Sequence, residues 1–251
     1  MGTTPHIELD SAHPGAIDGR HIRALAFQAV RTAYLAEVAP DGGGRPALVV
    51  GGGRGLPAAA LARLGYRVTA VDPSPVATAA ARAAHARDGL AIADETATAE
   101  ELPFSDREFD LVYVADTFEV TADLDRVLGH TARVLRPGGT LVYDTVNRTP
   151  LARLVYLGAF QALPMTRIMP PGRYAADRLR TPAELTAALA RHGLRNQDVR
   201  EFKPRDPRAL VRAIRARRAG RITDDEIPPL VDFVLAAGAR PLVTYLGHAR
   251  R

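Results

Sequence analysis

The chain has 251 residues, no cysteine, 47% hydrophobic and 24% charged residues, and a formal net charge of +5. Without cysteine there are no disulfides, no thiolate catalysis and no cysteine-based metal sites. The length suits one sizeable α/β domain with an elaboration better than two independent domains.

In chain order, residues 1–20 are irregular, with His13-Pro14-Gly15 as punctuation. His21 to Val38 reads as an amphipathic helix, because Ile22, Leu25, Ala26, Ala29, Val30, Ala33 and Tyr34 share a face. Arg23 and Arg31 lie in it. Pro40-Asp41-Gly42-Gly43-Gly44 is a break. Ala47–Val50 is a short apolar run, as in a buried parallel strand, and Gly51-Gly52-Gly53-Arg54-Gly55 follows at once. A helix opens at Leu56 and stops at Gly65. Tyr66–Val71 is a second strand, ending on Asp72. Strand, glycine turn, helix, strand and terminal acid form the first half of a nucleotide-binding βαβ unit. A sharp turn that lets a ligand approach the backbone calls for glycine.

Pro73-Ser74-Pro75 starts a helix to about Asp88, and Leu90–Ala93 reads as a third strand. Residues 98–104 are a loop, Phe109–Ala115 a fourth strand and Leu124–Leu135 a helix. Arg136-Pro137-Gly138-Gly139 ends that helix in a turn, and Thr140–Val146 is a fifth strand. Such alternation predicts a parallel sheet covered on both faces, with ligands beyond the carboxyl ends of its strands. Leu151–Leu163 is apolar over much of its surface and flanked by Arg153, Arg167 and Arg173. Thr181 and Glu184 have capping-box spacing at the head of a helix to His192. Val199–Phe202 and Pro241–Leu246 read as a closing antiparallel pair, with a basic stretch, Pro207–Arg221, and a helix, Ile227–Ala237, between them.

Charge is uneven. Residues 151–251 hold 19 Arg/Lys against 9 Asp/Glu, whereas residues 1–150 hold 14 against 19. An arginine-rich third is compatible with an anionic substrate, a membrane surface or nucleic acid. The basic stretch lacks aromatic interleaving, so nucleic acid is not favoured. No apolar run is long enough to span a bilayer and no signal pattern opens the chain, so a cytoplasmic location is expected.

The stations GGGRG, VDPSP, AEELPFSDREFDLVYVAD and ARVLRPGGTLVYDTVNR, over roughly residues 45–150, together resemble the class I S-adenosylmethionine-dependent methyltransferases. The closest likeness is to the ubiquinone-biosynthesis-type O-methyltransferases, through VRTAYLAE before the core, DTVNR after the fifth strand, and PLARLVYLGAF, PPGRY and RTPAELTAAL beyond it. The resemblance implies an α/β fold: a Rossmann-like, doubly wound, mostly parallel seven-stranded sheet with an antiparallel C-terminal strand, an N-terminal lid helix and helical insertions. It divides the chain into a lid segment at 1–44, a cofactor-binding core at 45–150, and a substrate-covering insertion with the rest of the same domain at 151–251.

The same resemblance implies S-adenosyl-L-methionine as cofactor. Gly51, Gly53 and Gly55 would line its methionine part, Asp72 would hold the ribose with Pro73 nearby, and Thr98 and Ala99 would flank the adenine. Ala115 would contact its amino-acid end, and Arg31 would pair with its carboxylate. Two positions depart from the pattern. Val49 stands where the family carries an acid, and Val120 where the quinone enzymes carry a histidine. Asp116 and Glu119 remain as candidate catalytic carboxylates; without the histidine they make Mg²⁺ conceivable but not favoured. His21 is the candidate base on the lid helix, with His248 as a second. The expected activity is O-methylation of a hydroxyl on a hydrophobic small molecule, aromatic, quinone-like or polyketide-like. Residues 151–173 would cover that acceptor and touch a membrane surface peripherally. The alternatives are a repurposed fold that cyclises or rearranges its ligand, motivated by Val49 and Val120, and an RNA methyltransferase.

Overall fold

The computed structural model describes residues 5–11, 13, 15–236, 238 and 240–251. The expected irregular N-terminus therefore lies in part, and the expected helix ending at Ala237 at its last residue, outside the described residues. Five strands are parallel: β1 (Pro46–Val50), β2 (Arg67–Asp72), β3 (Ala93–Thr96), β4 (Phe109–Val114) and β5 (Leu135–Val146). Three more, β6 (Arg195–Pro204), β7 (Phe233–Ala236) and β8 (Thr244–Arg250), join antiparallel. The order across the sheet is β3-β2-β1-β4-β5-β8-β6-β7. The sheet is thus α/β and mostly parallel as expected, but it has eight strands rather than seven.

Alternation within the strands sorts the core into two layers. Val49, Tyr113, Val142 and Leu246 face one side, under the long helix α1 (Gly19–Val38) with Phe27, Val30 and Tyr34, and beside Ala58 and Leu61 of α2 (Leu56–Arg63). Leu48, Val50, Val112 and Leu141 face the other, under α4 (Leu124–Val134) and α6 (Pro182–Arg191). α3 (Pro75–Arg87) lies against β2 and β3. The predicted capping box at Thr181 and Glu184 is present at the head of α6. The arginine-rich stretch forms α7 (Pro207–Arg218), and α5 (Pro150–Arg153) runs into a wide helical turn at Leu154–Ala159. Among the described residues no helix is long and apolar enough to cross a membrane.

Three local expectations fail for identifiable reasons. The third strand lies three residues later than expected: Leu90 and Ile92 still close the turn after α3, and the pairing with Thr69–Asp72 begins at Ala93. This is an edge strand, polar apart from its first residue, so an apolar run could not mark it. The glycines after Arg136 do not interrupt the chain as a turn. They lie inside β5, where the register with β4 shifts and Gly138 takes φ +78°. The helix expected at Ile227–Ala237 is instead a single turn at Pro228–Leu230 followed by β7. Two adjacent prolines remove helical donors, and Phe233 is drawn into edge-on contact with Phe27, ring centroids 4.7 Å apart.

Candidate active site

The carboxyl ends of β1, β2 and β4 meet the first turns of α1. Gly51 turns out of β1 with φ +77°, and a Cβ there would stand 2.3 Å from the Ala115 carbonyl oxygen. Only glycine allows the two strand ends to approach so closely. Gly53 has φ +54°, and a Cβ built on it meets nothing within 4 Å, so its bare backbone borders open space. Its amide donates to Asp72 Oδ2 at 2.9 Å, and Ser74 N donates to Asp72 Oδ1 at 3.0 Å. The predicted ribose acid is therefore fixed at the strand end with both oxygens oriented. Pro73 beside it is exposed. Thr98 and Ala99 follow β3 at the same sheet edge, tethered by Ala97 N to the Asp72 carbonyl at 3.2 Å; Thr98 is exposed and Ala99 buried.

A feature missed in the sequence is Arg20. Its Nη2 lies 2.6 Å from Asp72 Oδ2, and its Nη1 lies 2.6 Å from Asp10. The guanidinium thus holds the carboxylate on which a ribose would hydrogen-bond. The N-terminal segment is pinned over the glycine loop a second time by Arg54, which pairs with Asp18 at 2.9 Å. Asp18 also caps α1 by accepting from Arg20 N and His21 N. Arg20, His21, Arg31, Gly51, Gly53 and Asp116 all line the resulting cleft.

Behind the cleft lies a buried ionic network. Arg31 reaches Asp116 at 2.7 Å and Asp144 at 2.6 Å; Arg23 reaches Asp116 at 2.6 Å and Glu119 at 2.9 Å. Tyr113 donates to Asp144 at 2.6 Å, Thr145 to Glu119 at 3.0 Å, and Arg23 to the Tyr174 hydroxyl at 2.5 Å. Burial alone would raise the Asp116 carboxyl, but the two arginines outweigh it and hold it well below the usual range. Burial pushes Asp144 up, with Asp116 adding to the push and only Arg31 opposing it among the nearby charges. Asp116 carries φ +46°, the left-handed conformation that this web of contacts maintains.

This arrangement revises several roles. The charges of Asp116 and Glu119 are neutralised by arginine, which leaves neither as an open metal ligand. Among the described residues no three acids or histidines converge as a metal site. Arg31 borders the cleft, but two protein carboxylates already hold it. The acid absent at Val49 has a counterpart on the same face of the sheet, at Asp144. An acid inside the otherwise apolar Leu141–Val146 run was the available sequence signal for it. His21 borders the cleft with Nε2 3.3 Å from Asp225, and its Nδ1 is buried without a partner among the described residues. His248 does not belong to the site. It lies within β8 opposite Val142, well below the sheet edge, against the Tyr34 hydroxyl at 2.9 Å.

His85, unassigned in the sequence, supports the loop from below. Its Nδ1 lies 2.7 Å from Asp94, and its Nε2 lies 3.0 Å from the Gly55 carbonyl. Burial by itself would lower this imidazole, but Asp94 and the Gly55 carbonyl outweigh it and raise it. Its contribution to stability is therefore full below about pH 6.5 and fades as pH rises through the higher folded value. His85→Gln is expected to lower the melting temperature clearly at about pH 5.5 and much less at about pH 8.5. A deficit that does not change with pH would show that the ring acts by packing alone.

A tight glycine turn, a fixed acid at the next strand end and this strand order define the cofactor-binding unit of a class I methyltransferase. Both the bare backbone at Gly53 and the oriented Asp72 carboxylate fit S-adenosylmethionine. A family model described as a methyltransferase domain matches residues 48–143. The ubiquinone biosynthesis O-methyltransferase of Xanthomonas axonopodis pv. citri is 33% identical over 184 residues, covering 72% of this chain and 75% of that protein. The protein of the same name from Brucella anthropi is 37% identical over 149 residues, spanning 59% of either chain. Among solved structures, the YcgJ protein of Bacillus subtilis is similar in fold, with a TM-score of 0.66 at 17% identity over 89% of this chain and 98% of that one. The chain belongs to the S-adenosylmethionine-dependent methyltransferase family that includes the ubiquinone biosynthesis O-methyltransferases.

Proposed function

We propose that the protein O-methylates a hydroxyl on a hydrophobic small molecule, aromatic, quinone-like or polyketide-like. The observation that supports this reading is the buried aromatic cluster joined to the cleft network. Tyr156 stacks edge-on with Phe160 at 5.3 Å and with Tyr174 at 5.0 Å, and the Arg23 guanidinium lies over Phe27, Tyr156 and Tyr174. These rings are buried in the core beside the cleft, an apolar, aromatic environment of the kind in which hydrophobic acceptors are received. The ubiquinone biosynthesis O-methyltransferases among its relatives point the same way. S-adenosylmethionine, when bound, supplies an electrophilic methyl group. This chain contributes alignment of the acceptor oxygen and an acceptor for its proton; the position of His21 at the cleft supports it in that role. Residues 1–44 then act as the lid, 45–150 as the cofactor-binding core, and 151–251 as the cover of the acceptor. Leu154 and Met165, 64% and 60% exposed, give that cover an apolar rim that supports peripheral contact with a membrane surface.

The test is formation of S-adenosylhomocysteine from S-adenosylmethionine with a panel of catechols and hydroquinones, for wild type and His21→Gln. Wild type is expected to turn over at least one of them. His21→Gln is expected to lower kcat by about 10²-fold or more. Cofactor binding without turnover of any hydroxylated acceptor would refute O-methylation and favour a repurposed pocket.

A further inference from the structure

The three arginines that are almost fully buried, Arg23, Arg31 and Arg217, and Arg20 at the cleft are each neutralised by a carboxylate. Arg20 has Asp72 and Asp10, Arg23 has Asp116 and Glu119, Arg31 has Asp116 and Asp144, and Arg217 has Asp224 at 2.6 Å. Arg173 differs. It is partly buried, its Nε is enclosed without a partner, and its guanidinium makes no ion pair or hydrogen bond among the described residues. The residues outside that description are Met, Gly, Thr, Ala and Pro, and none carries an acid.

The neighbours of Arg173 make this arrangement costly. Burial pushes its guanidinium down, and the nearby charges of Arg20 and Arg23 push it further. Glu119 is also close, but Arg23 and Thr145 already hold it. A half-buried cation among cations lacks a counter-charge, and its Nη groups, open to solvent, can take one from an anion. Arg173 directly precedes Tyr174, whose hydroxyl takes the Arg23 hydrogen bond and whose ring belongs to the aromatic cluster. The unneutralised charge therefore lies near the Arg20 and Arg23 guanidinia of the cleft and next in the chain to the aromatic cluster. Arg167 also has an enclosed Nε without a partner, but it lies with Arg218 rather than with the cleft arginines.

We infer that Arg173 binds an anionic substituent, carboxylate or phosphate, of the methyl acceptor. This inference rests on the methyltransferase reading and narrows its substrate class: a planar apolar body, a hydroxyl and one negative group. A guanidinium fork receives either oxyanion through paired N–H donors.

The full chain, saturated with S-adenosylhomocysteine, is titrated with 4-hydroxybenzoate and with its neutral counterpart, 4-hydroxybenzamide. Wild type is expected to bind the acid about tenfold more tightly, the scale of one charge-assisted contact. Arg173→Met is expected to abolish the preference and Arg173→Lys to retain part of it, both with unchanged affinity for S-adenosylhomocysteine. Adding 4-hydroxyphenyl phosphate to the series separates a carboxylate from a phosphate preference. A wild type that does not prefer the charged probes, including one that binds none, overturns the inference, as does a preference that survives Arg173→Met. Failure to bind S-adenosylhomocysteine would instead strike the methyltransferase reading beneath it.

Discussion

Asp72→Ala is expected to weaken S-adenosylmethionine binding by about 100-fold, and Arg20→Ala to strengthen it severalfold. The first figure follows from losing two charge-assisted hydrogen bonds to the ribose, about 3 kcal/mol together. The second follows from the 2.6 Å contact between Arg20 and Asp72, which must open before a ribose can take its place. Removing the arginine also leaves a 3%-exposed carboxylate without its counter-charge, so the ligand-free Arg20→Ala protein should melt at a lower temperature. Isothermal titration of both variants, with a thermal scan of each, measures all of these effects. If Arg20→Ala loses affinity to the same degree as Asp72→Ala, then Arg20 serves the cofactor and does not compete with it.

The largest effect on stability is expected from Arg31→Met, a loss of about 3–5 kcal/mol. The side chain is 4% exposed and answers the buried Asp144 and the partly buried Asp116. After its removal Asp116 keeps Arg23, whereas Asp144 keeps only the Tyr113 hydroxyl and a distant amide. Asp144 is already raised in the folded protein, so its contribution falls as pH rises through the raised value. The variant should therefore lose about 10 °C or more in melting temperature near pH 8 and less near pH 5, where Asp144 takes up a proton. Equal losses at both pH values would mean that Asp144 does not carry the strain. Arg31→Lys should recover little, because one ammonium does not reproduce the planar fork between two carboxylates.

The sequence made the sheet and its ligand edge readable because both rest on local signals. The glycine run, the acid 21 residues after Gly51, and the alternation of strands with helices each reflect constraints of a single turn or strand. Arg31 was singled out by position, yet its partners Asp116 and Asp144 lie 85 and 113 positions away, and nothing local announces them. Arg20 escaped notice because a lone arginine just before a helical stripe looks solvated; its meaning comes from Asp72, 52 positions on. His85 carries no local signal either; Asp94 and the Gly55 carbonyl, brought together by the fold, give it its role. β7 was hidden by a different competition, in which prolines and an aromatic contact overrode a helical pattern.

The contact between Arg20 and Asp72 also bears on the speed of cofactor capture. A site whose ribose acid is already taken admits its ligand only in the fraction of molecules in which that contact is open. The apparent dissociation constant is then the intrinsic one divided by that fraction, and the association rate is scaled by the same factor. After transfer, re-formation of the contact competes with rebinding of the spent cofactor. With Asp72 holding the ribose as proposed, one salt bridge in the first turn of a helix would set how long the protein waits for a ligand and how rarely the spent cofactor rebinds.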